Sequence, residues 1–149
     1  MINRIYSNID SLLENEKALI LYGPRQVGKT TLVENFLSST KLRYKLDSGD
    51  NIEIQNILSS RNFNLIIPYA SGYDLIVIDE AQKINHIGDA LKIIVDQIKN
   101  IKVIAIGVFF KKLLSTDTVG DITLTFTGKI TYEPLSSDKT MWHKIYTFS

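Results

Sequence analysis

Apolar residues along this chain follow two rhythms that take turns. Ile2, Ile5, Ile9, Leu12 and Leu13 return at helical spacing among polar positions, which predicts an amphipathic helix over residues 2–15. Residues 17–22, KALILY, form a short apolar run that Gly23 stops, the signature of a strand. Leu32, Val33, Phe36 and Leu37 then share one face of a helix expected over residues 28–38. Residues 42–47 alternate as a second strand, and residues 50–58 read as a helix. Residues 73–80 contain four consecutive aliphatics, Leu75 to Ile78. A strand that is apolar on both faces belongs inside a parallel sheet. Residues 87–99 are helical in period, with Leu91, Ile94, Val95 and Ile98 inward, and residues 101–108 are another buried strand. Part of residues 109–115 is expected as helix. Residues 121–133 alternate around Gly128, as one broken strand or a small hairpin. Strand and helix alternate throughout, which defines an α/β fold with a mainly parallel sheet.

Composition changes this picture little. The chain has 149 residues, enough for one domain with a real core, and 44% of them are apolar against 22% charged. Seventeen basic and sixteen acidic residues leave a formal charge of +1, so no global field favours nucleic acid or an anionic membrane. There is no cysteine, which excludes disulfides and thiolate metal sites and fits a cytoplasmic location. The first twenty residues lack the pattern of a signal peptide, and the longest apolar run, residues 103–110, is far too short to span a membrane.

The chemistry gathers after the first strand. Gly23, Pro24, Arg25, Gln26, Val27, Gly28, Lys29 and Thr30 fill the eight positions of a P-loop, between an apolar strand and an amphipathic helix. Glycines let successive backbone N–H groups converge on phosphate oxygens, and the helix N-terminus adds uncompensated donors. Lys29 is expected to reach the β- and γ-phosphates, and Thr30 to place its hydroxyl on Mg²⁺. Thr31 is expected at the α-phosphate. Arg25 reads either as a phosphate or subunit contact or as a solvated loop arginine. Asp79 and Glu80 close the LIVIDE strand, at the carboxyl end where open α/β sheets bind ligands. Asp79 is the expected metal carboxylate, and Glu80 the group that orients or deprotonates a water.

In this order, LYGPRQVGKTTL, Leu46-Asp47, IDEAQKI and TGKITYEPLS resemble the prokaryotic AAA-type P-loop ATPases that begin with a GPRxxGKT loop and carry a C-terminal domain of unknown function. The likeness runs from Ile2 to about Ser136. It implies a P-loop NTPase three-layer sandwich with a five-stranded, mainly parallel sheet. In it the acidic strand lies beside a sensor strand, and the P-loop strand lies on the sensor strand's other side. It also implies Glu80 as the hydrolytic glutamate. Where the family places Thr-Gly-Ser-Ser after its fourth strand, this chain has Ile106, Gly107, Val108 and Phe109, and Gly128-Lys129 stands for Gly-Arg. Residues 1–136 are expected as the ATPase domain and 137–149 as a short tail, as in a truncated family member.

The expected function is binding of ATP with Mg²⁺ and hydrolysis to ADP and phosphate. The alternative is a degenerate nucleotide-binding module without appreciable turnover, acting in binding or regulation. A protein partner or self-association stays open, with no membrane and no clear nucleic-acid patch. Asp117 to Gly120 fits the DxxG of GTPases, but follows the wrong strand and has no NKxD companion. A kinase would need a basic lid, and residues 59–72 contain only Arg61 as a basic residue. His86 and His143 lie far apart in sequence, without a metal-binding pairing.

Overall fold

Four parallel strands make the centre of the molecule. The computed structural model describes residues 9–23, 29–108, 118–119, 122–123, 130–134 and 142–147. Helix α1 (Ile9–Leu12) precedes strand β1 (Lys17–Gly23), and helix α2 (Lys29–Leu37) follows it. Next come β2 (Tyr44–Ser48), α3 (Ile52–Leu58), α4 (Phe63–Ala70) and β3 (Leu75–Asp79). A 3-10 turn (Ala81–Lys83), α5 (Ile87–Gln97) and β4 (Lys102–Val108) complete the α/β core. The order across the sheet is β2-β3-β4-β1 with every neighbour parallel. The acidic strand and the β4 strand are thus adjacent, and β1 lies on the far side of β4, as the resemblance implied.

The expectation of five parallel strands is corrected. Beyond β1 the sheet continues with antiparallel strands, first β8 (Trp142–Thr147) and then β7 (Ile130–Pro134), so that among the described residues this sheet has six strands, four of them mutually parallel. Two short strands, β5 (Thr118–Val119) and β6 (Ile122–Thr123), pair separately. Residues 130–133 of the segment read as a broken strand or hairpin, together with Pro134, therefore pair with residues 142–146. The latter fall within the stretch expected as a tail. Nothing local predicts this, because β8 is specified by its register with β1 at the other end of the chain, Ala18 opposite Tyr146.

Period-two alternation splits the core into two layers. Ala18, Ile20, Ile76, Ile78, Val103 and Ala105 face α3, α4 and α5, where Leu58, Ile66, Leu91 and Ile94 are buried. Leu19, Leu21, Leu75, Val77, Ile104 and Ile106 face the other way, against Ile9, Leu32, Val33 and Leu37 from the α1 and α2 side. Strands β1, β3 and β4 are consequently covered on both faces, which is why they read as apolar runs, whereas β2 at the edge is exposed or half-buried along its length.

Most boundaries lie within two residues of those the periodicity predicts. Helix α1 is shorter than expected: residues 13–15 leave the helix, and residues 2–8 lie outside the described residues, as does the helix expected over 109–115. Helix α4 was not anticipated. It carries Pro68 within its eight residues and starts at Asn62, whose side chain accepts the Asn64 N–H at 2.8 Å. A lysine holds its far end. Lys45 Nζ donates to the Tyr69 carbonyl at 3.1 Å and lies 4.0 Å from the centre of the Tyr69 ring.

Candidate functional site

The carboxyl edge of the sheet brings two sequence-distant stretches to one side. Gly23 is the last residue of β1, level with Val108 at the end of β4. Ile78 is level with Ala105, so Asp79 follows at the same edge, one strand beyond β4. Lys29 and Thr30 open α2, and Thr31 is exposed in its first turn. Pro24, Arg25, Gln26, Val27 and Gly28, expected to cradle phosphate, lie outside the described residues.

Strand parity fixes which way the acid faces. Asp79 shares its side of β3 with Leu75 and Val77, which pack in the layer containing Leu32, Val33 and Leu37 of α2. The half-buried Asp79 thus belongs to the face on which the P-loop helix lies. Asp47 has the opposite parity. The Tyr69 hydroxyl donates to Asp47 Oδ2 at 2.6 Å, which ties β2 to α4 rather than placing Asp47 with Asp79. Burial, and then the Asp47 carboxylate, push the Tyr69 hydroxyl well above the usual tyrosine range. At the opposite edge of the sheet, the Arg43 backbone N–H donates to Asp74 Oδ2 at 2.9 Å and holds that carboxyl below its ordinary value.

Glu80 follows in a left-handed backbone conformation, φ 51° and ψ 41°, as the residue that starts the 3-10 turn. Its N–H donates to Asp79 Oδ1 at 2.8 Å, and its Oε1 accepts from Gln82 Nε2 at 2.7 Å. The Gly49 N–H donates to the Asp79 carbonyl at 2.7 Å, so the end of β2 supports the same turn. Sequence reasoning did not assign roles to Gln82 or Gly49. The IDEAQKI string contained the first, while the second depends on strands pairing at long range.

Ile106, Gly107 and Val108, expected after the fourth strand, lie within β4 itself. Ile106 is 1% exposed and packs with Leu21 and Val77. Among the described residues, no three His, Asp or Glu side chains gather to hold a metal. The oxygen donors the sequence offers Mg²⁺ are the Thr30 hydroxyl and the Asp79 carboxylate. Hard oxygen ligands of this kind suit that ion when nucleotide phosphates complete its shell.

An α/β sheet of this order, with a P-loop sequence after its first strand and an acidic pair after its third, defines a P-loop ATPase-type domain. The chain belongs to the AAA domain family, matched over residues 15–137. That places it among nucleotide-binding ATPases. None of the curated proteins matches the chain. Among solved structures it is similar to a replication initiator DnaA bound to AMPPCP and single-stranded DNA, at 19% identity and a TM-score of 0.49. That match covers 79% of this chain and 40% of the DnaA chain. It is also similar to a DNA replication initiation factor, at 22% identity and a TM-score of 0.44, over 80% of this chain and 39% of the other. The chain therefore spans about two fifths of the length of both. Among the described residues, no helix is long and apolar enough to cross a membrane.

Proposed function

We propose that the protein binds ATP with Mg²⁺ at the carboxyl edge of the sheet and hydrolyses it to ADP and phosphate. The observation that carries this reading is the shared edge: the P-loop sequence leaves β1 at Gly23, and Asp79-Glu80 leave β3 at the same edge, across β4, with Asp79 on the α2 face. The loop amides of residues 23–30 and the N-terminus of α2 bind the phosphates. Lys29 supplies countercharge to the β- and γ-phosphates. Thr30 and Asp79 would hold Mg²⁺, which when bound draws charge from the transferring phosphoryl group. Glu80 orients the attacking water in line with the bond to be broken and accepts its proton. Arg25, Gln26 and Thr31 complete the phosphate contacts. With no cysteine in the chain, we place this activity in the cytoplasm.

Phosphate release tests the reading. Glu80→Gln keeps the carbonyl shape and removes the base, so it should retain Mg·ATP affinity and lose turnover by about 10²–10⁴-fold. Unchanged turnover would remove Glu80 from the chemistry.

A second reading rests on Ile106. The side chain of Ile106, buried two residues before the end of β4, cannot hydrogen-bond phosphate or water, and losing one oriented donor costs about 10²–10³ in rate by analogy with oxyanion sites. On that reading the domain binds nucleotide and acts as a binding or regulatory module. Retained ATP binding with background phosphate release over hours would select it.

A further inference from the structure

The turn bearing Glu80 is held from several directions, and the pieces come from three elements. A non-glycine residue in the left-handed region is strained and persists only where its surroundings impose it. Here Glu80 has φ 51°. Its N–H is taken by Asp79, and its carbonyl accepts the Lys83 N–H at 3.1 Å, which closes the 3-10 turn. The same carbonyl lies against Gly49: a Cβ at that position would overlap the Glu80 oxygen and come within 3.0 Å of the Glu80 carbonyl carbon. Only glycine lets the end of β2 approach this closely. Gly49 is itself fixed, since the Gln55 side-chain amide of α3 donates to its carbonyl at 2.6 Å. The carboxylate end is addressed separately, by the amide of Gln82 on Oε1 at 2.7 Å.

We propose that Gln82 and Gly49 are positioning residues for Glu80: Gly49 admits the left-handed turn that aims the side chain, and the Gln82 amide sets the rotation of its carboxylate. The proposal rests on the hydrolytic role given to Glu80 above. A glutamate has three side-chain torsions, and its orientation at a strand exit is undefined until something outside the residue fixes it. A water-orienting group must hold its geometry closely, because a misplacement of about 1 Å can cost about 10²-fold in rate. The need is sharp here. The buried Ile106 offers the water no partner, so its alignment depends on Glu80 and on whatever holds Glu80.

The test is steady-state phosphate release from Mg·ATP by the intact chain, with the affinity for Mg·ATP measured on the same samples. Gln82→Met keeps the length of the side chain and removes its donor. It should lower kcat about 10- to 100-fold with an unchanged Kd. Added to Glu80→Gln, it should cause no further loss, because the two residues act through one carboxylate. Gly49→Ala should lower kcat in the same way; if that variant does not fold, Gln82→Met decides. An unchanged or raised kcat in Gln82→Met, with Glu80→Gln inactive, overturns the positioning role and leaves the hydrolytic reading standing. A loss carried by Kd rather than kcat also overturns it, since Gln82 would then serve binding. A parent chain without turnover, or a Glu80→Gln variant as fast as the parent, overturns both.

Discussion

Tyr69 shows how one hydroxyl can link fold and pH. It is buried, it donates to Asp47 at 2.6 Å, and it resists ionisation in the folded state. A tyrosine whose folded pKa is raised gives stability that is complete below its unfolded value of 10.0 and is lost as pH climbs above it. Unfolding free energy should therefore fall above pH 10 by about 1.4 kcal/mol per pH unit from this group. Tyr69→Phe should cost about 1–3 kcal/mol at neutral pH, because Asp47 loses a buried partner, and should remove that part of the alkaline slope. Urea denaturation of both proteins at neutral pH and above pH 10 checks the two effects together. A variant with the parent's neutral stability and alkaline slope would show that the Asp47 bond contributes nothing. Residue chemistry of this kind was only partly legible in the sequence. Lys29, Thr30, Asp79 and Glu80 stand in strings whose spacing carries a mechanism. Asp47 appeared in a motif without a role, because its partner lies in a helix that the pattern did not reveal.

The elements divide by where their information sits. Helices α3 and α5 and strands β1, β3 and β4 were readable because each declares itself within its own residues, by helical spacing or by a run of aliphatics. The structure adds a cap to α3 at Asn51: its side chain accepts from Glu53 N–H at 2.8 Å and from Ile54 N–H at 3.4 Å. Asn51→Ala should destabilise the protein by about 1 kcal/mol, seen as a lower denaturant midpoint with the slope of the transition unchanged. No shift in the midpoint would mean that the cap is dispensable. Helix α4 was missed for the opposite reason. Pro68 removes a backbone donor from inside it, and what secures it is tertiary: Lys45 on the Tyr69 carbonyl and ring, and Ile66 buried against the sheet. Strand β8 was missed because an antiparallel partner for β1 is a fact about the whole sheet, and WHKIYT has no strict alternation of its own.

At the scale of the molecule, the fold exists to bring two strand exits to one edge. Burial on both faces of β1, β3 and β4 fixes their register, and the register puts the residue after Ile78 at the same edge as the ends of β4 and β1, one residue past the level of Ala105. The α/β class was evident from the alternation of periods, whereas the order of strands came from resemblance, since apolar runs do not say which neighbours they choose. The central claim is that this edge holds a nucleoside triphosphate with Lys29 as its countercharge. Titration calorimetry of Mg·ATP into the intact chain and into Lys29→Ala tests that claim most directly. The account predicts saturable binding by the parent and loss of tight binding in the variant. Lys29→Ala binding Mg·ATP as tightly as the parent would contradict it.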